Sequence, residues 1–134
     1  MTRLTAVELP EDGDADFPYS QGVHDGQWLF VAGQLPADDP AWRGPVGVIE
    51  AETRAAMDRI GRVLGAAGIG FNDVVRVGIY MTDLDLFERM NAVYRGYFSG
   101  PHLPARTTVG VAKLLHGAMI EIDCVARLRE RAAQ

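Results

Sequence analysis

The sequence predicts a single domain, residues 1–134, in which strands and helices follow in the order β-β-α-β-α-β-β. Two segments repeat apolar residues at helical spacing, several apolar runs have the length of strands, and each helix lies between two strands. Connections between parallel strands are almost always right-handed, so two helices that progress in the same direction cover one face of the sheet. The opposite face is then open.

The first third of the chain predicts two strands separated by irregular segments. Residues 1–16 are polar and poorly patterned, and they supply at most a short first strand. The apolar run Trp28–Gly33 predicts the second strand, and His24–Gly26 before it reads as a turn. Residues 34–47 hold three prolines and therefore predict a loop.

Both helices are predicted from a division of apolar and charged side chains between two faces. The first covers Val48–Ala67, and Gly68 is expected to end it in the left-handed conformation. The second covers Leu84–Phe98, and Thr82–Asp83 provides its N-terminal cap.

The remaining strands are predicted at Asp73–Met81, Arg106–Leu114 and Ala118–Leu128. In the last of these, Ile120, Ile122 and Cys124 form one apolar face, whereas Glu121 shares the other face with Met119 and Val125. A sheet with helices on one side and a half-apolar second side needs a covering partner, which predicts a homo-oligomer.

Composition excludes several classes of protein. The chain of 134 residues has a net charge of −5 and a pI near 5.1, which argues against nucleic-acid binding because phosphate contacts need a basic surplus. A single cysteine, Cys124, and the lack of an apolar N-terminal run predict a cytoplasmic protein without a membrane span. His24, His102 and His116 lie in separate loops, so no metal site is expected.

Two charged side chains stand out among the predicted strands. Arg106 shares its strand face with the small residues Thr108, Gly110 and Ala112, which leave room for a guanidinium to grip a carboxylate. Glu121 lies among apolar neighbours, where a carboxylate gains a raised pKa suited to acid–base chemistry. Each also has an ordinary reading as a surface residue.

Short motifs in order along residues 17–127 resemble the RidA/YjgF family of reactive-intermediate deaminases. The motifs are PYSQGV (18–23), LFVAGQLPAD (29–38), NAVYRGYF (91–98), PARTTV (104–109) and IEIDCVA (120–126). This resemblance implies an α+β, chorismate-mutase-like fold, with two helices on one face of a mixed sheet. It also implies homotrimers with sites between subunits, and hydrolysis of enamines and imines such as 2-aminoacrylate and 2-iminopropionate to 2-oxo acids and ammonia, without a cofactor.

The resemblance also implies roles for individual residues at matching motif positions. Arg106 of PAR would bind the substrate carboxylate, and Glu121 would position the attacking water. The other implied substrate-binding positions are the site-closing Tyr19, the backbone of Gly33, the rim residue Asn91 and the backbone of Thr108.

Some positions depart from the family pattern and put the identity of the substrate in question. Ala32 replaces a serine, Phe17 replaces a glycine, and Leu114–Leu115 replaces a Leu-Pro pair. Two other functions stay open: a non-catalytic trimer that binds small carboxylates as a sensor, and an endoribonuclease, against which the acidic balance argues.

The spacing of Arg106 and Glu121 raises a geometric question. If the last two strands form a hairpin that turns near Leu115–His116, Arg106 faces Val125 and lies about 13 Å from Glu121. The two side chains then meet only if the strands pair differently or if two subunits share one site.

Overall fold

The computed structural model describes residues 3–129, which contain six strands and two α-helices. The strands are β1 (Thr5–Val7), β2 (Gly22–His24), β3 (Trp28–Gln34), β4 (Val74–Met81), β5 (Ala105–Gly110) and β6 (Ile120–Arg127). The helices are α1 (Ile49–Ala66) and α2 (Phe87–Arg95). Within these residues, neither helix combines the length and the apolar character that crossing a membrane requires.

The strands form one mixed sheet in the order β1-β2-β3-β6-β4-β5. The last strand, β6, lies between β3 and β4 and is antiparallel to both, whereas β4 and β5 are parallel neighbours. Helix α1 therefore connects the parallel strands β3 and β4, and α2 connects β4 and β5. The predicted α+β architecture, with helices crossing between parallel strands, is confirmed.

Both helices pack on one face of the sheet. Alternate residues of the central strands β4 and β6 point into this core, among them Val77, Ile79, Ile120, Ile122 and Cys124. Burial raises the pKa of the Cys124 thiol to about 12, so this cysteine is a core residue and not a reactive thiolate.

The opposite face carries apolar and polar side chains in alternation with the core residues. Phe30 and Val109 are 52% and 40% exposed on it. Between them, the Tyr80 hydroxyl donates to the Asp123 carboxylate at 3.0 Å. No element within residues 3–129 covers this surface, as predicted from two crossovers that place both helices on the same side.

One strand was not predicted, and β5 is shorter than predicted. Strand β2 has only three residues and begins with glycine; its pairing with β1 and β3, rather than an apolar pattern, makes it a strand. The prediction that β5 reaches Leu114 was wrong because its neighbour β4 ends at Met81. The Val111 N–H donates to the Met81 carbonyl at 2.8 Å, and the chain then leaves the sheet.

Helix α2 is also shorter than the predicted Leu84–Phe98. Asp83 accepts a hydrogen bond from the Asp85 N–H, as expected of a cap, but the first turn, Leu84–Leu86, is a 3-10 turn. The helix ends at Arg95, and Gly96 follows as its C-cap. Helix α1 has nearly its predicted bounds, and Gly68 adopts the predicted left-handed conformation at φ +80°.

A buried carboxylate ties α1 to the start of β6. Glu52 is 1% exposed; it accepts hydrogen bonds from the Gly47 N–H at 2.7 Å and from the Met119 N–H at 2.8 Å. Because Met119 immediately precedes β6, this contact fixes where the strand that carries Glu121 begins.

Replacing Glu52 with alanine is expected to lower the free energy of unfolding by about 3 kcal/mol, since two backbone N–H groups lose the buried charged acceptor that they share. Urea denaturation at one fixed protein concentration measures the change. Glu50→Ala is the control, because Glu50 forms an exposed ion pair with Arg89 and its loss should alter stability only slightly. Equal effects of the two substitutions would contradict this role of Glu52.

Candidate functional site

Arg106 lies on the edge strand β5, with its side chain on the helix-covered face against α2. Its Nη1 donates to the Asn91 Oδ1 at 2.6 Å, and its guanidinium carbon lies 4.6 Å from the centre of the Tyr94 ring and 5.4 Å from that of Phe87. The three partners recur at helical spacing on α2, so one helix face orients the guanidinium. We call Arg106, Asn91, Tyr94 and Thr108 the Arg106 cluster.

A cavity of about 330 Å³ opens beside this cluster. Its lining combines Arg106, Asn91 and Tyr94 with Arg95, Phe98, Leu103 and Pro104. The hydroxyls of Tyr94 and Thr108 are buried and have no hydrogen-bond partner within residues 3–129. A cation with unpaired hydroxyls on the same face of the sheet suits the recognition of a carboxylate, which accepts hydrogen bonds at both oxygens.

Glu121 points to the open face of the sheet and lies against Gly33. Val31 pairs with Cys124 and Gln34 with Ile122, so Ala32 and Gly33 together oppose one residue in a β-bulge. A Cβ at position 33 would lie 2.9 Å from the Glu121 Cδ and 3.0 Å from its Oε1. Glycine is therefore required where the bulge brings the backbone of β3 against the carboxylate.

Tyr19 and Phe17 form the rim of a second cavity, of about 340 Å³, above Gly33 and Glu121. Their rings stack with centres 5.2 Å apart and planes inclined by 25°. The remaining lining residues are Ala32, Leu35, Asp38, Leu115 and His116. We call Tyr19, Gly33, Glu121 and Asp38 the Glu121 cluster.

Carboxylates dominate the electrostatics of the Glu121 cluster. Burial, followed by the negative charges of Asp38 and Asp123, raises the pKa of Glu121 above its ordinary value. Burial and Asp38 likewise raise the pKa of Tyr19. A carboxylate whose pKa is raised is a better proton acceptor than an ordinary surface glutamate, as the sequence predicted for Glu121.

The two clusters lie on opposite faces of the sheet. Arg106 aligns with Val77 and Glu121 aligns with Tyr80, three residues further along β4. Since strand side chains alternate, an offset of three places the two residues on opposite faces, with Cα atoms about 14 Å apart by register and strand spacing. The final two strands form no hairpin with each other, because β4 lies between them.

The structure thus brings together the predicted site residues in two groups: Arg106, Asn91 and Thr108 in one, and Tyr19, Gly33 and Glu121 in the other. Sequence reasoning missed two contributors. Sequence analysis gives Tyr94 no role in the site, although its position three residues after Asn91 signals a shared helix face. Asp38 was assigned to a loop, and the PAD turn that brings it near Glu121 gives no sequence signal of that contact.

The described part of the chain contains no cluster of metal-ligating side chains. Within residues 3–129, no three histidine, cysteine, aspartate or glutamate side chains are grouped so that they could hold an ion.

A mixed sheet with two helices on one face and a cavity at Tyr19 and Glu121 define a class of small α+β proteins. Residues 11–128 match the family described as Endoribonuclease L-PSP. The chain therefore belongs to this family, which is the RidA/YjgF family, as its motifs predicted.

Individual relatives agree with this assignment. A RutC family protein of Pyrococcus horikoshii is 41% identical over 109 residues, 81% of this chain and 86% of that protein. A mouse protein named 2-iminobutanoate/2-iminopropanoate deaminase is 37% identical over 110 residues, 81% of this chain and 80% of that protein. The crystal structure of a putative endoribonuclease from Thermotoga maritima, 38% identical, superposes with a TM-score of 0.84 over 97% of this chain and all of that one.

Replacing Glu121 with glutamine is expected to raise the melting temperature at pH 7. At that pH the folded protein holds an ionised carboxylate against burial and two neighbouring charges, which costs stability. Below the ordinary glutamate pKa the group is neutral in both the folded and the unfolded state, so the difference between variant and wild type should vanish near pH 4.

Thermal unfolding of both proteins across this pH range measures the effect. Glu8→Gln at an exposed position is the control and should show no such gain. A Glu121→Gln protein that is less stable than wild type at pH 7 would contradict the raised pKa.

Proposed function

We propose that this protein is an enamine/imine deaminase. It would hydrolyse reactive 2-aminoacrylate- and 2-iminopropionate-type intermediates to 2-oxo acids and ammonia. The named activity of the mouse relative and the family match support the reaction class, and the cation and carboxylate clusters supply the groups that the reaction needs.

The observation that carries the proposal is the placement of Arg106 and Glu121 on opposite faces of one sheet. The Cα atoms of Arg106 and Glu121 lie about 14 Å apart by register, and their side chains point away from each other. One chain therefore cannot direct both side chains at one small substrate. We infer that each site combines the Arg106 cluster of one subunit with the Glu121 cluster of the next. A cyclic homotrimer, the assembly implied by the resemblance, repeats this heterologous contact and closes.

Exposed apolar side chains support this assembly. Phe30 and Val109 lie on the uncovered sheet face, and Leu103 and Leu115, at 67% and 69% exposed, stand at the rims of the two cavities. Contact between subunits would remove this apolar surface from water and join the cavities.

The proposed reaction balances with one water molecule. Arg106, oriented by Asn91, binds the substrate carboxylate and aligns the C=N carbon. Glu121 accepts a proton from water as the water oxygen bonds to that carbon, whose nitrogen has been protonated. The proton then passes to the nitrogen, the C–N bond breaks as the new hydroxyl gives its proton to Glu121, and ammonia and the 2-oxo acid leave.

The departures from the family pattern bear on which imine fits. Ala32 lines the second cavity without a hydroxyl, and Phe17 stacks on Tyr19 at its mouth. The carboxylates of Asp38 and Glu121 disfavour a second acidic group on the substrate. These features favour imines with a small or apolar side chain.

The single buried cysteine is consistent with the reducing cytoplasm as the place of action.

The two alternative functions, a carboxylate-binding sensor and an endoribonuclease, make different demands on the two clusters. A carboxylate-binding trimer would need the Arg106 cluster but not Glu121. An endoribonuclease, the activity in the family's description, would bring phosphates toward a cavity that holds Asp38 and Glu121 in a chain of net charge −5. The charges therefore favour the deaminase over the ribonuclease.

An assay with imines generated by an amino-acid oxidase tests the proposal. Arg106→Ala should lower kcat/KM by about 100-fold through loss of the carboxylate grip, and Glu121→Gln should lower kcat by a similar factor. Arg54→Ala, at an exposed position of helix α1 and outside the lining of both cavities, is the matched control and should keep wild-type rates.

Three outcomes would overturn the proposal in different ways. Absence of hydrolysis by wild type together with 2-oxo acid binding would favour the sensor. Full activity of Glu121→Gln would remove that residue from the chemistry. RNA cleavage that survives Arg106→Ala in repurified protein would favour the ribonuclease.

A further inference from the structure

One of the fully buried side chains of helix α1 is charged. Arg59 is fully buried; its Nη2 contacts the Asp12 Oδ2 at 2.7 Å, and its Nε donates to the Gln34 Oε1 at 2.8 Å. Its Nη1 has no partner within residues 3–129. An arginine in such a position is costly, because an apolar side chain of similar size avoids the desolvation of the charge.

The hydrogen bonds of Arg59 continue to two of the backbone segments that line the second cavity, those of Tyr19 and Gly33. The Gln34 Nε2 donates to the Gln21 Oε1 at 2.9 Å and to the Ala32 carbonyl at 3.0 Å. The Ala32 N–H donates to the Gln21 carbonyl at 2.9 Å. Gln34 directly follows Gly33, and Gln21 is two residues after Tyr19, so the network ends at two of the segments that line the cavity.

The network also holds the β-bulge in place. A one-residue slip in register turns every side chain of a strand to the other face, and the position of a bulge decides which residues face each way on either side of it. Gln34 is 0% exposed and points inward to Arg59, which fixes Ala32 and Gly33 as the bulged pair. Without this inward anchor, Gly33 could move away from the Glu121 carboxylate.

We propose that Arg59 is a positioning residue of the candidate site, held by Asp12 and acting through Gln34 and Gln21. It sets Gly33 and Tyr19 relative to Glu121 without contacting substrate, and Asp12 makes this arrangement depend on the N-terminal segment. The consequence for catalysis rests on the proposed deaminase function, whereas the control of the two segments does not.

The test uses a double variant, Arg59→Met with Asp12→Leu, which removes both charges together and leaves no unpaired ion in the core. Hydrogen exchange by mass spectrometry follows the segments 17–24 and 31–36 under native conditions. Both should exchange about tenfold faster than in wild type while the other strands keep their protection. In the imine assay, kcat should fall about tenfold with KM little changed, because Arg106 still binds the substrate carboxylate.

Two further variants make the result specific. Arg89→Met with Glu50→Leu removes an ion pair between α1 and α2 and should leave both measurements at wild-type values. Gln21→Met cuts the last link and keeps the Arg59–Asp12 pair, so it should reproduce the local exchange and the loss of kcat. Gln21→Met also provides the test of the positioning role if the double variant does not fold.

The outcomes separate the two claims. Unchanged or uniformly faster exchange in the folded variants would overturn the positioning role, as would local opening with an unchanged kcat in an active enzyme. A wild-type protein without imine hydrolysis would refute the proposed function, while the exchange result would still decide whether Arg59 controls the two segments.

Discussion

The alternation of side chains across a sheet that has helices on only one face governs the whole molecule. Val77 and its neighbours on the same side fill the core, so the residues between them must face the uncovered surface. Arg106 falls in the first set and Glu121 in the second. This parity separates the cation from the carboxylate within a chain, and it makes contact between chains the natural way to join them.

The β-bulge in β3 is the second condition on the site. It places two residues opposite one, brings Gly33 against Glu121, and turns Gln34 inward to the buried Arg59. A regular strand would leave either the glycine or the glutamine on the wrong face. The same bulge therefore places Gln34 in the buried polar network and Gly33 beside the carboxylate of the open-face cavity.

Most elements could be predicted because their periodicity is local, as in α1, whose apolar stripe marks its bounds within a residue or two. Strand β2 has no such pattern, and the length of β5 depends on where β4 ends. The position of β6 between β3 and β4 is set by long-range pairing, so the Arg106–Glu121 geometry could not be derived from spacing alone. Motif order predicted six residues of the candidate site, whereas Tyr94 and Asp38 join it through tertiary contacts that motif order does not show.

The most direct test mixes two inactive proteins. Arg106→Ala and Glu121→Ala subunits, refolded together in equal amounts, should form some sites with both functional residues intact, although no single chain has both. The account predicts recovery of about a quarter of the wild-type imine hydrolysis in the mixture, and almost none in either variant alone. A mixture no more active than its separate components would contradict a site shared between subunits.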